Sequence, residues 1–231
     1  MKKLGVIALA FILTGCANSQ ISQSNTISQS DVSAISLDST TPFSVSRVVV
    51  LANGVAEIMN SLNARSILVG RDVSSTEKTL ESIPVVTSGH QVLPEKVISL
   101  NPDLVLIDAS TGPKAAIATI KAAGIRVVET PESWSLGDLP NKVRAVGAAI
   151  GAPDRAELLV EQIELAVKTS MVKGSPRVAF LYLRGTSSVY LIGGSGSGAD
   201  SLLQAIGAVD VGAQSLDRPF NTLTAESLAT L

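Results

Sequence analysis

Glu95-Lys96-Val97-Ile98-Ser99-Leu100 leads into Asn101-Pro102-Asp103 and then into the apolar run Leu104-Val105-Leu106-Ile107. That is a helix start, a turn and a buried strand in quick succession. The opening recurs at the end of the chain. Glu226-Ser227-Leu228-Ala229-Thr230-Leu231 again sets an apolar residue two places after a Glu and a Leu five places after it. The chain stops where a second Asn-Pro-Asp and strand are due. The sequence therefore reads as two similar lobes, the second without its later part, and a fragment of a longer reading frame or a poorly stable product is expected. Glu is also common in a first helical turn, where it meets the helix dipole, so the repeat has to be judged with its surroundings.

Working outward, Arg47 to Ala52 is a β-branched strand and Val55 to Leu62 a helix with apolar positions at Val55, Ile58, Met59 and Leu62. Ser66 to Gly70 and Pro84 to Val86 read as strands, with Gly89-His90 in the loop that follows. Pro94 suits the first turn of a short helix. Lys114 to Ala123 is a helix ended by Gly124, followed by the strand Ile125 to Val128. Asp154 to about Val172 reads as the longest helix, capped by Asp154, with Leu159, Ile163, Val167 and Met171 on one face. Lys173-Gly174-Ser175-Pro176 ends it. Strands resume at Arg177 to Leu183 and Ser188 to Ile192, and Gly193 to Gly198 opens a helix at Ala199 to Ile206. Strands alternating with helices imply a largely parallel sheet covered on both faces, here as two α/β units joined by one long helix.

The ends and the composition set the compartment. Met1-Lys2-Lys3 is basic, and Leu4 to Leu13 is apolar but too short to span a bilayer. Leu13-Thr14-Gly15-Cys16 looks like a bacterial lipobox, in which Cys16 is lipidated and becomes the mature N-terminus; the other reading is an ordinary secretory signal with an incidental Cys. Cys16 is the only cysteine, so no internal disulfide forms. The expected divisions are a signal peptide at 1–15, the lipidated Cys and a Ser/Gln/Asn/Thr-rich tether at 16–43, a first lobe at 44–152, an interlobe helix at 153–174 and a partial second lobe at 175–231. Removing 15 of 231 residues leaves 216, enough for one large or two small domains. The net charge of −2 and the lack of a basic block argue against a nucleic-acid partner.

Taken together, Arg47-Val48-Val49-Val50-Leu51 with Glu57 in the next helix, Val69-Gly70, Glu95 through Asp103 with its strand, the long mid-chain helix and the Glu226 echo resemble one family. It comprises the substrate-binding lipoproteins of bacterial ABC importers for vitamin B12, siderophores and haem. The resemblance covers roughly Ser44 to Leu231. It implies a class III periplasmic binding protein fold: two Rossmann-like lobes with parallel sheets, a rigid helix between them and ligand in the cleft. It also implies that Glu95 and Glu226 dock onto the permease of a permease and ATPase complex. An exposed carboxylate at each lobe would make a two-point contact that sets orientation; otherwise both simply meet helix dipoles. The implied location is the extracytoplasmic side of the membrane, anchored by an N-terminal lipid such as palmitate.

His90 is the only histidine, which excludes sites needing several imidazoles. By itself it is as compatible with a surface or supporting role as with ligation. Tyr182 lies near the end of its strand, where ligands of α/β units gather. Arg184 is two residues on and would leave the same face, favouring a phenolate. Phenolate and imidazole both suit ferric haem; alternatively, Tyr182 caps a strand and Arg184 meets solvent. The chain looks most like the haemin-binding branch, whose members hold haem between a His of one lobe and a Tyr of the other, with an Arg supporting the Tyr. Phe180-Leu181-Tyr182-Leu183-Arg184-Gly185 and Gly89-His90 carry that likeness. It implies haem b as the transported ligand, with no catalytic cofactor. Tyr190 is the alternative tyrosine, and Phe220 stands where that branch has another Tyr.

The run Gly193-Gly194-Ser195-Gly196-Ser197-Gly198 lacks both the P-loop ending and the central serine of a nucleophile elbow. It reads as a strand-to-helix turn whose amides, like those at Asn53-Gly54, are candidates to hold a haem propionate. The leading expectation is a haem receptor that catalyses nothing. The alternatives are a receptor for a corrinoid or ferric siderophore, a lipid-anchored hydrolase, and a surface lipoprotein without a small ligand.

Overall fold

The computed structural model describes residues 42–183 and 190–224. Its first half is built on four parallel strands: β1 (Val48–Val50), β2 (Leu68–Gly70), β5 (Leu104–Ile107) and β6 (Arg126–Glu129), in the order β2-β1-β5-β6. Between β2 and β5 lie the short antiparallel strands β3 (Thr87–Ser88) and β4 (Gln91–Val92). Strand β1 is Val-Val-Val and fully buried, because both faces of a parallel sheet are covered.

Successive side chains leave opposite faces, so the two strands at the centre feed two cores. On one face Val48, Val50, Leu104 and Leu106 meet α1 (Val55–Ser61), α4 (Leu139–Ile150) and α5 (Pro153–Thr169). On the other, Val49, Leu51, Val105 and Ile107 meet α2 (Pro94–Ser99) and α3 (Lys114–Ala122). Burying each Val or Leu contributes about 1.5–3 kcal/mol.

Helix α4 is the element that sequence reading misses. Its core positions Val143, Val146 and Ile150 alternate with Ala and Gly, which mutes the apolar period. Its punctuation is orthodox, with Pro140 in the first turn and Gly151 at its end with φ 76. Helix α5 differs from expectation at both ends. Pro153 occupies its first position, so Ala152 is the cap and Asp154 sits inside the first turn without capping. The helix stops at Thr169, leaving Met171 exposed outside it. Pro84 to Val86 is not a strand: Val85 makes only a single parallel bridge to Arg71, and Pro84 has no N–H to extend a ladder.

The second half mixes strand directions. β7 (Arg177–Val178) pairs in parallel with β10 (Val209–Asp210), flanked by α6 (Gly198–Ala205) and α7 (Val211–Ser215). β8 (Leu181–Leu183), β9 (Tyr190–Gly193) and β11 (Phe220–Leu223) form an antiparallel sheet in the order β11-β9-β8. The expected single run Arg177 to Leu183 is thus split between two sheets. Parallel pairing of β8 with β9 would need a crossover of a dozen or so residues, and only six separate them.

Helices α4 and α5 approach closely at Gly147, where an added Cβ would lie 2.5 Å from the Ala156 Cβ and 3.0 Å from the Ala152 carbonyl oxygen. Gly147→Val is expected to destabilise the fold by about 1–3 kcal/mol in urea unfolding. Ala148→Gln, one residue away on the exposed face, should change stability by less than about 0.5 kcal/mol.

Candidate functional site: the carboxyl edge of the parallel sheet

Helix α1 follows β1 onto one face and α3 follows β5 onto the other, while β1 and β5 are neighbours. The loops after these strands therefore part, leaving the crevice in which ligands of open α/β sheets bind. A cavity of about 300 Å³ lies there, lined by Asn53, Asp72, Ser74, Thr87, His90 and Ser110 among others. His90 is exposed at the turn between β3 and β4, next to Gly89 with φ 55.

Asp108, the residue after β5, is 3% exposed. Its Oδ1 accepts hydrogen bonds from the Ser110 amide (3.2 Å), Ser110 Oγ (2.7 Å) and Thr111 Oγ1 (2.9 Å), and its Oδ2 accepts from the Asn53 amide (2.9 Å). Burial alone would raise its pKa, but the bonds from Ser110, the Asn53 amide and Thr111, helped by the charge of Lys142, hold the carboxyl below its usual range. Lys142 on α4 lies 4.0 Å away and is likewise buried. Burial pushes its pKa down, against the pull of Asp108 and Glu132. Beside this pair a smaller cavity of about 80 Å³ is lined by Asn53, Glu132, Ser133 and Trp134 as well. Trp134, the only tryptophan, is 66% exposed, and its Nε1 donates to Glu132 Oε2 at 3.1 Å.

Sequence reasoning does not single out Asp72, Asp108, Lys142 or Trp134. Asp108 has a readable signal: it directly follows a fully apolar strand, at the end where parallel sheets bind ligands. No group of three or more His, Cys, Asp or Glu positioned for a metal ion occurs among the described residues.

Tyr182 stands in β8 on the antiparallel sheet, 47% exposed, its ring edge-on to Phe220 with centroids 6.3 Å apart and planes at 63°. It does not line the His90 cavity. Glu95 is exposed in the first turn of α2 and forms no side-chain cap. Arg184, Glu226, Cys16 and the side chain of Tyr190 lie outside the described residues.

Most amides of the two candidate propionate cradles already have acceptors within the protein. The amides of Gly193, Gly194, Ser195 and Ser197 donate to Phe180, Pro219, Leu216 and Gly194 carbonyls at 2.9–3.0 Å, and the Asn53 amide is held by Asp108. Glycine is needed at 194 for packing, because a Cβ there would collide with the Arg218 and Leu216 carbonyl oxygens.

A family described as periplasmic binding protein matches residues 48–230. The chain belongs to that family. Binding, not catalysis, is what unites such proteins, so the hydrolase alternative is dropped. The chain is 28% identical over 173 residues to an uncharacterized ABC transporter substrate-binding lipoprotein, YvrC, of Bacillus subtilis (strain 168), covering 71% of this chain and 55% of that protein. Among solved structures it resembles the heme binding protein HmuT, with 32% identity, a TM-score of 0.66, and 80% of this chain matched to 63% of that one. It also resembles the periplasmic heme-binding protein RhuT from Roseiflexus sp. RS-1, with 30% identity, a TM-score of 0.71, and coverage of 80% and 73%. The chain thus spans somewhat over half the length of YvrC and under two thirds of HmuT. The binding-protein family and the lipoprotein relative point to an extracytoplasmic, membrane-associated location. No helix among the described residues is long and apolar enough to cross a membrane.

Glu57, half-buried on α1, has its pKa raised by burial first and then by Glu77 and Asp72. A carboxyl whose folded pKa lies above its unfolded value costs stability once the pH rises past the unfolded pKa, and costs nothing below it. Glu57→Gln should therefore raise the melting temperature at pH 7 and leave it unchanged at pH 3, measured by thermal circular dichroism at both pH values.

Proposed function

We propose that this protein binds haem b outside the cytoplasmic membrane and passes it to an ABC permease and ATPase complex for haem and iron uptake. The observation that carries the reading is the likeness, at 30% identity or more over 80% of the chain, to two heme-binding proteins. It is supported by a crevice at the carboxyl edge of the sheet that contains the only histidine. HmuT has also been solved with a histidine, a tyrosine or an arginine replaced by alanine, and that tyrosine and arginine are two positions apart. Tyr182 and Arg184 have the same spacing.

In this reading His90, from the first lobe (44–152), and Tyr182, from the second (175–231), are the axial ligands of ferric haem, with the interlobe helix region (153–174) between the lobes. Imidazole and phenolate both ligate ferric haem. The Arg184 guanidinium favours the phenolate by opposite charge, and Tyr190 is the substitute tyrosine. Glu95 and Glu226 dock the lobes on the permease, and Cys16 carries the lipid that keeps the receptor at the membrane. A corrinoid or ferric siderophore is the second reading. It is favoured by the hydroxyl-rich lining of the His90 cavity, where Ser74, Thr87, Ser110 and Thr111 gather.

Haemin titration of the tether-free protein, followed by absorption, tests the proposal. A saturable Soret shift is expected, with affinity about tenfold or more lower in His90→Ala and in Tyr182→Phe. A folded protein that leaves the haemin spectrum unchanged would sink the haem reading. Saturable binding of a corrinoid or ferric siderophore, unaffected by His90→Ala, would establish the second.

A further inference from the structure

We propose that Asp108 is the positioning residue for His90, setting the shape of the cavity without lining it. Two loops converge on its carboxylate. The Asn53 amide comes from the loop after β1, and Ser110 and Thr111 come from the loop after β5. Thr111 is gripped twice, since its Oγ1 donates to Asp108 Oδ1 at 2.9 Å and accepts from the Asp108 amide at 3.0 Å.

The next residue carries the link onward. The Gly112 carbonyl accepts the Val92 N–H at 2.9 Å, and Gln91 bridges to Gly112 in parallel. Strand β4 begins at Gln91, directly after His90, and pairs with β3 through Ser88 and Gln91. His90 thus sits on a two-residue turn whose following strand is hydrogen-bonded to the loop after β5 at Gly112. The Gly112 segment is in turn held by Thr111 on Asp108. Asn53, Ser110, Thr111 and Gly112 all line the His90 cavity, whereas Asp108 does not.

An ionised carboxylate presents acceptors to every one of these donors and adds no competing donor of its own. In Asp108→Asn one carboxylate acceptor becomes an NH2 donor, so at least one of the part-buried bonds from Asn53, Ser110 and Thr111 is lost. One side chain therefore holds three cavity-lining residues and, through Thr111 and its neighbour Gly112, the hairpin turn.

Because His90 is the only histidine, its imidazole Hε1 resonance is a single-site probe that needs no ligand. Asp108→Asn and Thr111→Val are compared in the full chain with Ala148→Gln, with folding checked by far-ultraviolet circular dichroism. The expected result is a shifted or broadened His90 signal in both site variants and not in the control. For haemin the affinity should fall about tenfold, as for loss of a residue that orients a ligand. An unchanged His90 signal in folded Asp108→Asn and Thr111→Val overturns the inference. If Asp108→Asn does not fold, Thr111→Val alone decides, since it removes one link of the chain and keeps the carboxylate. The affinity arm rests on the haem reading. An unsubstituted protein that takes up no haemin counts against that reading alone, and the His90 signal still settles the positioning.

Discussion

Everything described depends on the two-sided burial of β1 and β5. Val48, Val49, Val50, Leu104, Val105 and Leu106 have no exposed surface. A sheet with both faces apolar has to be covered twice, and a parallel sheet supplies the covers through its own crossover helices. Once α1 goes to one face and α3 to the other, the loops leaving β1 and β5 diverge and a crevice opens at their carboxyl ends. The candidate site is in this sense a by-product of how the core is closed.

Opening that crevice exposes the ends of two adjacent strands, whose loops then need an anchor other than the sheet ladder. A carboxylate meets that need because it accepts from several donors at once. Burying it is costly unless the donors are present, and at Asp108 they are. The pair with Lys142 adds little by contrast: at 4.0 Å it is long, and a buried ion pair often fails to repay its desolvation. The local hydrogen bonds hold Asp108 in its charged form, and Lys142 owes its place at least as much to the packing of α4.

The central strands are legible in the sequence because a continuous β-branched run has few other interpretations, as at Val48 to Val50 and Leu104 to Ile107. Pro94 and Gly124 are legible as punctuation for the same reason, each acting through its own backbone geometry. Helix α4 is not, since alternating Ala and Gly carries too little hydrophobic contrast to show a period. Strand direction in the second half is not legible either, because it depends on connection length and tertiary pairing, which a local pattern does not encode. His90 stands out by being unique, yet its support by Gly112, Thr111 and Asp108 is a matter of contacts across the sheet edge. Tyr182 reads in the sequence as belonging to a strand end near a ligand, while the structure sets it in the middle of a three-residue strand with its ring against Phe220.

The position of Tyr182 bears on the surface chemistry of the second half. In the antiparallel register Tyr182 lies opposite Leu191, and Leu191 opposite Thr222. Residues two apart on a strand share its face, so Phe180 and Phe220 belong to the same side as Tyr182. The three aromatic residues are each between 38% and 48% exposed, a concentration of aromatic surface in a chain with only 3% aromatic residues. Water is a poor solvent for such a face. The cavity at His90, by contrast, sets hydroxyls, an amide and a carboxylate beside only two apolar side chains, Leu51 and Val92. The two surfaces therefore differ in chemistry, the one aromatic and the other largely polar, and Tyr182 does not line the cavity of His90.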